Sequence, residues 1–171
     1  DGIGLIKDLC INNKFNLNGS RVLLIGAGGA SRGVIIPLLD KNPKEIVITN
    51  RTLSKATELA SYIPDIRVKS SGFNELKGMQ FDLIINATSV SLANEELPIP
   101  SDCLNINGWV YDMMYGNEPT NFMKWGIRNH AEKVLDGFGM LVEQAAESFS
   151  LWRGVKPDTK LIIENSSKFF K

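Results

Sequence analysis

The sequence predicts an α/β fold, a doubly wound and mostly parallel six-stranded sheet with helices on both faces. Three observations predict it. Short, continuously apolar strand patterns recur along the chain, as in parallel strands buried on both sides. Helical patterns separate them, and right-handed crossovers then lay helices on both faces of one sheet. The first strand pattern, Val22-Leu23-Leu24-Ile25, runs straight into the glycine-rich turn Gly26-Ala27-Gly28-Gly29 and then into a helix. The free backbone amides at such a junction, and the helix dipole behind them, suit an anion.

The elements follow in order. Gly2 to Asn13 has a helical pattern with Ile3, Leu5, Ile6, Leu9 and Cys10 apolar, closed by the turn residues Asn18-Gly19-Ser20. Arg21–Gly26 is the first strand. The helix after it spans about Ala30 to Asp40, contains Pro37 and stops at Lys41-Asn42-Pro43. Glu45–Thr49 is the second strand, and Leu53–Tyr62 a helix that ends before Pro64. Ile66–Val68 is a weaker third strand, Phe81–Asn86 a strong fourth and Gly108–Asp112 a fifth. Asn121–Arg128 is helical and Lys133–Asp136 is the sixth strand. Met140–Leu151 is a helix, with Trp152 assigned to the core, and Thr159–Phe170 is the last helix. The longest irregular stretch is Ser91–Ser101. The whole, residues 1–171, reads as one domain.

Composition narrows the function classes. Lys and Arg (19) balance Asp and Glu (19), so the chain has no basic footprint for duplex nucleic acid and no charge to hold an anionic membrane. No apolar run approaches a membrane span, and no signal peptide opens the chain. The two cysteines, Cys10 and Cys103, lack metal-ligand spacing and read as buried or half-exposed free thiols in a cytoplasmic protein.

The glycine turn has the pattern of a dinucleotide site. Gly26 permits the tight turn, and Gly28, without a Cβ, lets a diphosphate approach the backbone. The third small position is taken by Ser31, a variant compact enough for close helix packing. The tip of the second strand distinguishes the two nicotinamide cofactors. An acid there would accept from the adenosine ribose and repel a 2′-phosphate. Here stand Asn50-Arg51-Thr52, then Ser54 and Lys55. Arg51 offers a planar fork for a phosphate and Lys55 a second charge, which favours NADP over NAD. Thr52 also stands where a helix cap belongs.

Six blocks in this order resemble the carboxy-terminal NADP domain of the shikimate dehydrogenases, a Rossmann-like fold. They are Asp1-Gly2-Ile3-Gly4, Gly26–Gly33, Asn50-Arg51-Thr52, Asn86-Ala87-Thr88-Ser89, Tyr111–Tyr115 and Asp136–Ala145. The resemblance implies an NADP-dependent oxidoreductase of aromatic amino acid biosynthesis that interconverts 3-dehydroshikimate and shikimate. It implies that Gly26, Ala27, Gly28, Gly29 and Ala30 form the diphosphate loop and that Asn50, Arg51, Thr52 and Lys55 clamp the 2′-phosphate. It implies that Asn86, Ala87 and Thr88 pass under the cofactor ribose and that Gly137 and Met140 lie by the nicotinamide. Tyr115 and Gln144 would reach the substrate. Asp1 matches the aspartate that partners the family's catalytic lysine.

The sequence departs from the family at Lys55, often Arg there, and at Ser91, commonly Gly. The family's amino-terminal domain, with its serine pair, catalytic lysine and asparagine, is absent from these residues. Helix 2–13 and the carboxy-terminal helices 140–170 are therefore expected on the former interdomain side, and the chain alone is expected to bind NADP without turnover. No metal site is expected.

Residue types leave other roles open. His130, the one histidine, stands in a polar turn and reads as an exposed loop residue. Tyr111 reads as core, Asp112 as a site carboxylate or a turn residue, and Asp136 as ordering the turn before Gly137. Two other functions fit the same residues, a non-catalytic NADP-binding sensor or partner-binding module and a quinate-using relative.

Overall fold

The computed structural model describes residues 1–90 and 96–165. Its sheet has six strands in the order β3-β2-β1-β4-β5-β6, and every pairing is parallel. The strands are β1 (Arg21–Ile25), β2 (Glu45–Thr49), β3 (Val68–Ser71), β4 (Phe81–Asn86), β5 (Leu104–Asp112) and β6 (Lys133–Leu135). The helices are α1 (Gly2–Ile6), α2 (Gly29–Leu39), α3 (Leu53–Ser61), α4 (Asn121–Arg128), α5 (Phe138–Arg153) and α6 (Lys160–Glu164). The chain moves from β1 outward to β3 and then returns to β4 on the other side of β1. Strand order therefore reverses between β1 and β4, where a doubly wound sheet opens its ligand crevice.

Side chains alternate across the sheet and build a core on each face. Val22, Leu24, Ile46, Ile48, Leu83, Ile85 and Tyr111 point to one core, which α1, α2, α3 and the start of α5 cover with Leu5, Val34, Leu38, Leu59 and Met140. Leu23, Ile25, Val47, Ile84 and Val110 point to the other, closed by Leu76, Cys103 and Phe122. Both faces are apolar, so the strands carry the continuous apolar runs seen in the sequence.

The first helix begins as α1 and widens into a π-helical stretch at Lys7–Asn12. It lies between α2 and α5 at very short range. A Cβ on Gly4 would stand 2.6 Å from the Met140 carbonyl oxygen, so glycine sets the closeness of α1 to α5. Helix α2 continues through Pro37, the ring of which lies against Gly2.

Several expectations need correction. The third strand begins at Val68 rather than Ile66, because Asp65 accepts the Arg67 amide (2.9 Å) and forms a turn that leaves Ile66 exposed. Strand β5 starts earlier than expected, at Leu104, with a register irregularity against β4. Trp152 is not core: it is 78% exposed on the last turn of α5. The expectations for Ser91 and for the end of the last helix fall on 91–95 and 166–171, outside the described residues. No helix among the described residues is long and apolar enough to cross a membrane.

Candidate functional site

The site is assembled at the carboxyl ends of β1, β2, β4 and β5. At the end of β1 the chain turns at Gly26, with φ +115, a conformation open to glycine. A Cβ there would also stand 2.9 Å from the Thr88 methyl carbon. The Gly26 amide donates to the Thr49 carbonyl (2.7 Å), and the Ala87 amide donates to the Ile25 carbonyl (2.8 Å), so the turn is held from both neighbouring strands. Gly28 is the N-cap of α2. Added Cβ atoms at Gly28 and Gly29 would meet nothing within 4 Å, so these backbone atoms face open space.

Ser31 is fully buried, and its hydroxyl donates to the Gly26 carbonyl at 2.8 Å. The variant residue therefore fastens the turn to the first turn of α2. The pattern showed that Ser31 fits; its bond across the turn depends on the folded backbone.

Beyond β2, Arg51, Thr52 and Lys55 are exposed. Neither Arg51 nor Lys55 forms an ion pair with an acid among the described residues. Thr52 occupies the N-cap of α3 but makes no capping bond with its side chain. Instead Asn50 Nδ2 donates to the Thr52 carbonyl at 3.0 Å and orders the tip. Asn50, Arg51 and Thr88 line a cleft of about 280 Å³ whose far wall includes Phe73 and Pro98. Those wall residues come from distant segments and carry no local motif, which is why the sequence did not reveal them.

A second cleft, of about 170 Å³, lies on the other side of the glycine turn. Asp1, Ala30, Tyr115, Gly137, Met140 and Gln144 line it together. These residues, far apart in sequence, thus share one wall. Gln144 is half-buried, and its Oε1 is buried with no hydrogen-bond partner. A buried amide oxygen without a donor is costly, and a ligand hydroxyl would satisfy it. Tyr115 packs edge-on against Phe138, with ring centroids 6.4 Å apart.

Other candidates lie away from both clefts. Asn86 is fully buried beneath the site, its Oδ1 accepting from Thr88 N (3.0 Å) and Thr88 Oγ1 (2.6 Å). His130 is exposed on a turn at φ +58. Asp112 is a buried turn carboxylate, accepting from Met114 N at 3.0 Å. Asp136 accepts from Phe138 N (3.1 Å) just before α5, and burial raises its pKa from the ordinary value. Tyr111 is core, its hydroxyl donating to Asp8 at 2.8 Å. Cys10 is half-buried and Cys103 buried; both are free thiols, and desolvation pushes Cys103 up to about 12. Among the described residues no cluster of His, Cys, Asp and Glu could hold a metal ion.

Comparison with known proteins agrees with this fold. The model of the shikimate / quinate 5-dehydrogenase family matches residues 9–95, and that of the shikimate 5′-dehydrogenase C-terminal domain matches 137–164. The NADP(+)-dependent shikimate dehydrogenase of Colwellia psychrerythraea is 54% identical over 164 residues, covering 96% of this chain and 59% of its own length. The crystal structure of an Ael1 enzyme from Pseudomonas putida superposes with a TM-score of 0.89 at 42% identity, covering 95% of this chain and 60% of that one. A shikimate dehydrogenase solved in complex with NADP+ superposes with a TM-score of 0.82 at 29% identity, covering 99% and 61%. The chain thus spans about three fifths of the length of the relatives it matches. By matched models, sequence and fold, it belongs to the shikimate/quinate 5-dehydrogenase family.

Proposed function

We propose that this chain is the cofactor-binding part of an NADP-dependent dehydrogenase that interconverts 3-dehydroshikimate and shikimate in a reducing cytoplasm. One observation carries the reading. A glycine turn with open backbone at Gly28 and Gly29 lies beside an exposed Arg51 and Lys55 that no described acid neutralises. The residues present fit the cofactor. Gly26 to Ala30 hold its diphosphate on the α2 dipole. Arg51 forks onto the 2′-phosphate, with Lys55 as a point charge and Asn50 holding the tip in shape. When bound, the nicotinamide supplies or takes up hydride. Gly137 and Met140 form the wall beside it, while the unsatisfied Oε1 of Gln144, with Tyr115, orients a polyol substrate.

The expected signature is cofactor discrimination. Arg51→Ala should weaken NADP+ binding by about 1.5–3 kcal/mol, the scale of a charge-assisted hydrogen bond, and leave NAD+ binding nearly unchanged. Calorimetric titration of both cofactors at several salt concentrations checks it, since a phosphate clamp weakens as salt screens it. Equal losses for both cofactors would refute the reading.

The first helix and α5–α6 lie, on this proposal, on the side that faces a substrate domain. Apolar side chains exposed there, among them Leu151, Trp152 and Leu161, support it. Among the described residues neither cleft contains a histidine or lysine to deliver the proton that hydride transfer to a ketone requires. The 171-residue chain should therefore bind NADP+ yet not oxidise NADPH with 3-dehydroshikimate. A turnover close to that of a complete enzyme, followed by nicotinamide absorbance, would show otherwise.

A further inference from the structure

Asp112 is fully buried at the end of β5 and lines neither cleft. Burying a carboxylate is expensive unless donors surround it, as they do here. Its contacts show what the charge does. Oδ1 accepts from Asn86 Nδ2 (3.0 Å) and from Met114 N (3.0 Å), and Oδ2 accepts from Thr120 Oγ1 (2.6 Å). One carboxylate thus joins the end of β4, the segment after β5 and the start of α4.

Each partner leads on to a wall of the site. On the cofactor side, Asn86 takes two hydrogen bonds from Thr88, whose methyl group closes over Gly26. On the other side, the Met113 amide donates to the Asn86 carbonyl (2.9 Å), and the Gly137 amide donates to the Met114 carbonyl (3.0 Å). Gly137 presses so closely on Met113 that a Cβ would stand 2.1 Å from its carbonyl oxygen. Met113, Met114 and Gly137 line the second cleft.

We propose that Asp112 is a positioning residue that sets the nicotinamide-side cleft relative to the glycine turn. It does so by holding Asn86 and Met114 on one oxygen and Thr120 on the other. The inference rests on the cofactor reading above and adds a residue that touches no ligand. It makes a distinctive claim: the half of the cofactor beyond the diphosphate should feel Asp112 much more than the adenosine half, whose cleft shares only Thr88 with this network.

The test compares two ligands, NADP+ and 2′,5′-ADP, which keeps the 2′-phosphate clamp contacts and lacks the nicotinamide half. Asp112→Ala, Asp112→Asn and Thr120→Val are titrated in the 171-residue chain at a temperature where circular dichroism shows each folded. Asp112→Ala should raise the Kd for NADP+ about tenfold and that for 2′,5′-ADP less than about twofold, as expected when buried donors lose their acceptor. Asp112→Asn should restore most of the affinity, because its amide can face the Thr120 hydroxyl, which also accepts. Thr120→Val should fall between the two.

Equal shifts for both ligands, or none for either, would overturn the assignment, since general destabilisation does not discriminate halves of one cofactor. Should Asp112→Ala not fold, the same ligand contrast in Thr120→Val decides. Wild-type chain that binds neither ligand overturns the cofactor reading first, and this inference with it.

Discussion

The chemistry of this domain is most legible at single residues whose role is local. Gly26 announces itself because only the backbone is involved: the strand must end, the chain must turn, and φ is +115 there. Arg51 is singled out for a similar reason, since the tip of a second strand in this fold lies where the adenosine ribose of a dinucleotide falls, and its clamp role is the proposal made above. Trp152 was misjudged because a large aromatic is assigned to a core by hydropathy, whereas its burial depends on what the end of α5 faces. Gly26 also yields a sharp prediction. Gly26→Ala would force an L residue into positive φ, costing ~1–2 kcal/mol, and would drive its methyl into Thr88. We expect a stability loss of about 2 kcal/mol or more by urea unfolding, together with weakened binding of both NADP+ and NAD+. Losing affinity for both cofactors separates the turn from the clamp at Arg51.

Elements were legible where periodicity is strong and less so where polar side chains decide geometry. The apolar runs of β1, β2 and β4 were found with nearly their observed bounds, because both faces of each strand are buried. The first helix was recognised as a helix, but its π-helical widening was not; a polar cluster that forms only in the fold sits on that stretch. Asp8, on the widened stretch, accepts from Tyr111 of β5 (2.8 Å) and from Asn12 (3.3 Å) and Asn13 (3.2 Å). A neighbouring carboxylate, Glu143 of α5, accepts from Asn12 (3.1 Å) and Thr159 (2.8 Å), while Lys7 pairs with Glu147. These contacts tie the helix to α5, the element carrying Met140 and Gln144. Burial raises the Asp8 pKa above its ordinary value, against the hydrogen bonds of Tyr111 and Asn12. The charge is thus a cost at pH values above the folded pKa, and protonation relieves it as pH falls. Tyr111→Phe removes a donor and should destabilise the fold by about 1–3 kcal/mol near pH 7, with the deficit shrinking in acid. Urea unfolding at several pH values measures this, and a deficit that grows in acid would contradict it.

Across the whole molecule, the two ends of the sheet divide the work. The carboxyl ends hold the clefts and leave Arg51 and Lys55 without described acidic partners, which is what an anionic ligand needs. Near the amino ends, Glu45 and Asp82 find partners within the protein. Glu45, on β2, accepts from Arg21 of β1 (2.6 Å) and from Lys69 of β3 (2.7 Å), stitching three strands. Asp82 of β4 accepts from the Arg21 amide (2.8 Å) and from Asn105 of β5 (2.8 Å). Burial pushes the Glu45 carboxyl up, but hydrogen bonds from Lys69 and Arg21, with their charges, outweigh it and hold its pKa below the ordinary value of 4.5. A group with a depressed folded pKa stabilises the fold above its unfolded pKa, and that stabilisation is lost as pH falls through the folded value. Glu45→Gln should therefore lower the thermal midpoint near neutrality, and its difference from wild type should narrow as pH falls below about 4.5 toward the lower folded value, because the unfolded chain takes up the proton first. NADP+ affinity should stay within about twofold of wild type, because the ion pairs lie at the opposite ends of the strands from the clefts. Thermal unfolding against pH, beside cofactor titration on the same samples, tests both halves. A variant that kept wild-type stability near neutrality, or that lost NADP+ binding along with its acid sensitivity, would show that the two ends of the sheet are not independent.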